Sequence, residues 1–184
     1  MPATIRVHDL DFAETISAAR IAERVDAIGV ALRRRFRENP PAEPPLFLAV
    51  LRGAAVFHAD LIRAYEGDLD IGFVRTSSYV GTSSTGEVRV DIPPELHLGG
   101  RDVVLVEDIA DSGRTLGVLA QALKDRSVSS LTTVVLLDKP SERVVDVEID
   151  AVGFTVGPEF VVGYGLDYDG LGRNLPSIYA RVGR

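Results

Sequence analysis

The chain has 184 residues, 46% of them hydrophobic and 26% charged, which is enough for one soluble domain that buries about 70% of its unfolded surface. A net charge of −7 argues against a nucleic-acid or anionic-membrane protein, since both need a basic face, although a small anionic ligand requires only a few local cations. With no cysteine, disulfides and thiolate metal sites are excluded and a reducing cytoplasm is expected; no run approaches the ~18 apolar residues of a membrane helix.

Residues 1–16 read as an extended arm, and Asp9, Asp11 and Glu14 are foreign to a signal peptide. Ser17 is placed to cap a helix in which Ile21, Val25, Ile28, Leu32 and Phe36 recur at helical spacing. Arg33, Arg34, Arg35 and Arg37 form its basic end, suited to the helix dipole and to solvent more than to a polyanion. The prolines of ENPPAEPP stop it.

From there strands and helices alternate. LFLAVL is a strand and RGAAVFHADLIRAY a helix; DIGFVRTSSY and EVRVDI are strands around the loop VGTSSTG. VVLVED is the central strand, TLGVLAQALKD a helix, and LTTVVLLD, AVGFTV and FVVGYG are further strands before a loop-like tail, LGRNLPSIYA. This order predicts an α/β fold, a mostly parallel twisted sheet with helices on both faces, in a single domain spanning 1–184. Ligands of such sheets bind beyond the carboxyl ends of the strands, where LRG, EDIADSGRT, LDKP and YGLDYDGLGR all fall.

The stretch from Val103 to Leu116 is the most informative. An apolar strand runs into Glu107 and Asp108, two neighbouring carboxylates that repel each other unless they face hydroxyls or a metal. Asp111, Ser112 and Gly113 then turn the chain into a helix opened by Arg114 and Thr115, which aims backbone amides and a positive dipole end at one spot. Alone, such a turn is a helix cap more often than a phosphate site; the two acids beside it favour a ribose phosphate.

This stretch resembles the phosphoribosyl pyrophosphate signature of type I phosphoribosyltransferases. VLRGAAVFHADLIR, RTSSYVGTSSTGEVRV, VVLLDKPSERVVDVEIDAVGF and EFVVGYGLDYDGLGRNLP extend the likeness, over residues 46–178, to the hypoxanthine-guanine branch. The resemblance implies a small hood built from the terminal segments and a homo-oligomer, dimer or tetramer. It implies transfer of the phosphoribosyl group from phosphoribosyl pyrophosphate to hypoxanthine or guanine, giving IMP or GMP and pyrophosphate, with Mg2+ as cofactor. Xanthine stays open as the base, and a nucleotide-binding regulator on the same fold is the reading from another class.

The resemblance assigns Glu107 and Asp108 to the ribose hydroxyls, directly or through magnesium, and Asp111 to proton transfer at purine N7. Ser112, Gly113, Arg114 and Thr115 cradle the 5′-phosphate. Lys139, a donor only, selects a 6-oxo base; Phe160, equally well placed for a plain core residue, stacks on the ring; Val161 and Asp167 address its C2 side. Leu51, Arg52 and Gly53, with a cis peptide between the first two, hold pyrophosphate together with Arg173, and Asp167 holds magnesium through water. Ser78 and Tyr79 close over the site. Gly170 and Gly172, where relatives carry larger residues, are expected to loosen Arg173.

Overall fold

The computed structural model describes residues 4–78 and 88–183. The six-stranded sheet consists of β3 (Leu46–Leu51), β4 (Asp70–Ser78), β5 (Val88–Asp91), β6 (Asp102–Ala110), β7 (Ser130–Asp138) and β8 (Ala151–Thr155). Its order is β5-β4-β3-β6-β7-β8, parallel throughout except for the β4–β5 pair. The apolar runs therefore form strands buried on both faces. Leu46, Leu48, Val103 and Leu105 point to one side with α3 (Arg114–Lys124), while Phe47, Val104 and Val106 point to the other with α1 (Ala18–Glu38) and α2 (Ala55–Ala64). Leu105 at the centre is fully buried, which stabilises the fold by roughly 1.5–3 kcal/mol relative to exposure.

Helix α1 starts where Ser17 accepts a hydrogen bond from the Arg20 amide. Its basic end is neutralised in place: Arg33 pairs with Glu66 at 2.6 Å, Arg35 with Asp150 at 2.8 Å and Arg34 with Glu38 at 3.9 Å. The dipole and solvent reading of this cluster holds, with three carboxylates added.

The arm predicted at the amino end is a hairpin of β1 (Thr4–Val7) and β2 (Leu10–Ile16). The tail read as loop contains β10 (Ile178–Arg181), which pairs antiparallel with β2 and with β9 (Val161–Val162). Isolated from β2, which lies at the other end of the chain, and from the two-residue β9, a four-residue strand leaves no local signal. The resulting four-stranded sheet, β1-β2-β10-β9, is the hood formed by the chain ends. FVVGYG is curtailed to two strand residues because Gly163, Tyr164 and Gly165 all adopt positive φ.

Chain connectivity sets the position of the site. From β3 the chain crosses over α2 to β4 on one side, and from β6 it crosses over α3 to β7 on the other. The carboxyl ends of the adjacent strands β3 and β6 thus flank the point where the winding direction reverses, which is where open α/β sheets bind ligands.

Candidate active site

Strand β6 runs to Ala110 instead of stopping at Asp108, because Ile109 and Ala110 stay in register with Leu137 and Asp138 of β7. Both acids therefore sit inside the sheet edge, and Glu107 is buried with its Oε2 lacking any hydrogen-bond partner. Burial raises the Glu107 carboxyl well above the ordinary range, and the charge of Asp108 and its hydrogen bond to Glu107 push it the same way. Burial raises Asp108 too, against the Glu107 hydrogen bond, the Ile109 amide at 2.8 Å and the nearby Arg173 charge. A buried acid pair with an oxygen to spare accepts a hard cation or a pair of hydroxyls.

A cavity of about 340 Å³ opens over this pair, lined by residues 107–113 together with Thr76 and Thr115. Asp111 is exposed to it. Gly113, at φ 81, turns the chain into α3 and supplies no side-chain cap, so the first-turn amides face the loop. A side chain at Gly113 would meet the Val145 carbonyl at 2.4 Å. The Ser112 carbonyl accepts from the amides of Val144 and Val145, each at 2.9 Å, and the Ser112 hydroxyl from Arg114 at 3.4 Å. Arg114 is exposed and Thr115 half-buried at the helix start.

The loop after β3 closes on the acids. The Leu51–Arg52 peptide is cis, as the resemblance implied. Gly53 lies so close to Asp108 that an added Cβ would fall 1.6 Å from its Oδ2. Gly165 in turn packs on the Gly53 carbonyl, 2.2 Å from where its own Cβ would be. The Gly165 carbonyl accepts from Arg173 Nη1 at 2.6 Å, and Arg173 Nη2 pairs with Asp167 Oδ1 at 2.6 Å. Leu51, Arg52, Gly53, Asp108, Asp167 and Arg173 are thereby joined in one chain of contacts.

The glycines before Arg173 do not undo this. Asp169 and Gly170 both have positive φ, as the two-residue turn of a tight hairpin requires, and Tyr168 and Leu171 exchange backbone hydrogen bonds across them. The Asp167 Oδ2 accepts from the Gly170 amide at 2.7 Å, so the turn fixes the carboxylate that holds Arg173. Asp-Gly is the sequence signal for such a turn.

On the base side, Lys139 is buried; its amide donates to Ala110 at 2.9 Å and its Nζ to the Glu159 carbonyl at 2.8 Å. An ammonium has three donors, so two remain to be directed. Phe160 follows Glu159, is half-exposed, and has its carbonyl tied to the Arg181 amide at 2.8 Å. Val161 is buried in β9. Tyr79 lies outside the described residues, and Ser78 ends β4 with its side chain likewise outside them.

Two residues were not anticipated. Arg143, half-buried, pairs with Asp138 and donates to the Ala110 carbonyl at 3.5 Å, and its Cδ lies against Gly113. It connects the lysine-bearing segment to the phosphate-type loop. Its place in an ordinary charged stretch, KPSER, gave no sign of this. Thr76, on the alternating strand β4, reaches the cavity from the far side of β3.

Comparison with known proteins places the chain in a family. A phosphoribosyl transferase domain matches residues 17–169. The chain is 41% identical over 172 residues to the hypoxanthine-guanine phosphoribosyltransferase of Bacillus subtilis, covering 93% of each. It is also 43% identical over 164 residues to the bifunctional protein TilS/HprT of Listeria monocytogenes, of whose length it spans only 25%. A crystal structure of hypoxanthine phosphoribosyltransferase from Staphylococcus aureus superposes with a TM-score of 0.83 at 38% identity, covering 91% of this chain and 90% of the other. The fold is that of a type I phosphoribosyltransferase. Within that class the chain belongs to the hypoxanthine-guanine phosphoribosyltransferase family.

Proposed function

We propose that the chain transfers the 5-phosphoribosyl group from phosphoribosyl pyrophosphate to N9 of hypoxanthine or guanine, yielding IMP or GMP and pyrophosphate. The observation that carries this is the buried pair Glu107–Asp108 at the switch point, touched by Gly53 on one side and followed on the other by an amide-bearing loop at a helix start. A sugar phosphate with a second anionic group needs those three features side by side.

In this reading Glu107 and Asp108 receive the ribose hydroxyls. Residues 112–115 (Ser112, Gly113, Arg114, Thr115) hold the 5′-phosphate with amides and hydroxyls. Asp111, exposed over the cavity, takes the proton that the purine sheds at N7 as N9 attacks the anomeric carbon. Lys139 donates to O6 of the base, Phe160 stacks on the ring, and Val161 with Asp167 faces C2. Leu51, Arg52 and Gly53, with Arg173, keep the departing pyrophosphate, and Ser78 and Tyr79 cover the reaction from water.

Magnesium fits the donor set: the unpartnered Glu107 oxygen and Asp108 would hold it, with Asp167 contributing through water because both its oxygens are already engaged. When bound it neutralises phosphate charge on the leaving group. We take residues 1–184 as one phosphoribosyltransferase domain acting in the cytoplasm as a homo-oligomer. No helix among the described residues is long and apolar enough to cross a membrane, and Ile71 and Phe73 expose an apolar face of β4 that a second copy could cover.

Nucleotide formation from phosphoribosyl pyrophosphate, magnesium and each of hypoxanthine, guanine, xanthine and adenine tests the proposal. Turnover with hypoxanthine or guanine that stops on chelation of magnesium is expected. Silence with every oxopurine refutes the enzyme and favours a regulator; preference for xanthine moves the base assignment, and preference for adenine removes the role of Lys139.

A further inference from the structure

The amino-terminal hairpin lies at the far end of the chain from the base-side residues, yet it touches them. Its turn, with His8 at φ 51, meets the Asp169–Gly170 turn head on. The Tyr168 hydroxyl donates to Asp9 Oδ1 at 2.9 Å, the His8 ring stands edge-on to the Tyr168 ring at 5.4 Å, and His8 Nε2 reaches the Asp169 carbonyl at 3.3 Å. Tyr168 then passes the contact on: its ring lies edge-on to Phe160, centroids 5.7 Å apart at 80°. Phe12 of β2, fully buried, closes the set at 6.2 Å from Phe160 and 6.5 Å from Tyr168.

The consequence concerns ring orientation. The backbone of Phe160 is fixed by Arg181, but a half-exposed phenyl ring can still turn about its side-chain torsions unless something stands against its edge. Among the described residues, Phe12 and Tyr168 are the aromatic groups in contact with it, and a T-shaped pair prefers one relative orientation. Phe12 is held by the core. Tyr168 is half-buried and is held at its hydroxyl end by Asp9.

We infer that Asp9 and Tyr168 are positioning residues for the purine base, the hairpin tip fixing Tyr168 so that Tyr168 fixes the Phe160 ring in its stacking plane. This rests on the stacking role proposed above for Phe160. Neither residue touches the reacting atoms; their effect belongs to base binding alone, since phosphoribosyl pyrophosphate is held by the β3 and β6 loops and by Arg173, whose bonds to the Gly165 carbonyl and to Asp167 involve neither Asp9 nor the Tyr168 side chain.

Steady-state kinetics on the full chain separates the possibilities, with Asp9→Ala, Tyr168→Phe, their double variant, Asp9→Asn and Phe160→Leu compared with the parent. Asp9→Ala and Tyr168→Phe are expected to raise the KM for hypoxanthine about threefold to tenfold, the range of an aromatic pair. The kcat and the KM for phosphoribosyl pyrophosphate stay within about twofold in the same variants. Because both break one link, the double variant is no worse than either single one. Asp9→Asn, which keeps an acceptor oxygen, restores the parent KM. An unchanged KM for hypoxanthine in Asp9→Ala and Tyr168→Phe, with Phe160→Leu raising it, overturns the inference and leaves the stacking role standing. A parallel rise in both KM values also overturns it, since that is a general loss of structure. If Phe160→Leu itself leaves the KM for hypoxanthine unchanged, the stacking reading has failed.

Discussion

The loop that follows β6 and the hood formed by the chain ends meet through Lys139, the hood also reaching the β3 loop at Gly165, and they are built by different means. The first is local: residues 107–115 supply three acids, a turn and a helix start within nine positions, and the sheet on either side holds them. Its polar groups are mostly backbone, and backbone in a parallel sheet has one register. The second is assembled across the chain: β2 pairs with β10, β10 with β9, and side chains such as Tyr168 and Asp9 meet over 159 positions. The local half fixes charge and geometry for a ligand common to a superfamily. In the function proposed above, the assembled half carries what distinguishes one base from another, and altering it should leave the first undisturbed.

The sharpest way to break that division is at Asp111. On the local half, Asp111→Asn removes a proton acceptor but keeps size and polarity. It should lower kcat by at least about a hundredfold, the lower bound for general acid–base catalysis, with the KM for phosphoribosyl pyrophosphate within about threefold. Poor phosphoribosyl pyrophosphate binding with undiminished turnover would make Asp111 a sugar ligand instead. Next comes Gly53→Ala. A methyl group there collides with Asp108, so the β3 loop or the acid must move by an ångström or more. The expected loss in kcat/KM for phosphoribosyl pyrophosphate is on the order of a hundredfold. An equal fall for base and phosphoribosyl pyrophosphate would show that the two halves are not separable at Gly165.

What could be read beforehand follows the same line. The parallel sheet was legible because buried strands are continuous apolar runs, and the acid–turn–helix stretch because its parts are consecutive. Two things were not legible. The hood strand at Ile178–Arg181 has no meaning without β2, and the buried burden on Glu107 depends on β6 continuing two residues past the acids, which is a matter of register with β7. Arg143 was hidden for another reason: a lone arginine after a proline looks solvated, and only folding puts its side chain against Gly113 and Asp138. Asp169–Gly170 is legible as a tight-turn pair, but Gly170, with Gly172, was expected to loosen Arg173. It does the reverse, by directing an amide at Asp167.

Lys139 stands where the halves join, so it measures how independent they are. Lys139→Gln removes the charge that favours a 6-oxo group and shortens the reach to Glu159. Its kcat/KM for hypoxanthine should fall by about 10–100-fold, as expected for a lost hydrogen bond to a charged group, while adenine, no longer facing a donor-only ammonium, gains relative to it. Competition between the two bases in one reaction reads this ratio directly. If hypoxanthine and adenine fall together, Lys139 serves the joint between hood and sheet and not the choice of base.

The smallest effect expected concerns the sheet half alone. His58 of α2 is buried, its Nε2 donates to the Phe47 carbonyl at 3.1 Å, and its ring stands edge-on to Phe73 at 5.4 Å. Burial holds its pKa below the ordinary 6.5, the backbone hydrogen bond opposing but not cancelling this. The folded chain therefore resists protonation that the unfolded chain accepts. Stability is full above pH ~6.5 and declines as pH falls from there toward the lowered folded value, by at most about 1.4 kcal/mol per pH unit. His58→Gln keeps a donor for Phe47 and removes the titration. Urea midpoints at pH 7.0 and 5.5, values chosen to bracket the ordinary histidine pKa of about 6.5, should show a steeper loss in the parent than in the variant. Kinetic constants for the base should track the folded fraction and nothing else, because His58 lies on the opposite side of β3 from the acids' loop contacts with α3. Identical pH slopes in parent and variant would mean that the acid response does not come from His58, and it could not be assigned to Glu107 and Asp108 either, because their raised carboxyls bind protons better in the folded chain and so oppose a loss of stability on acidification.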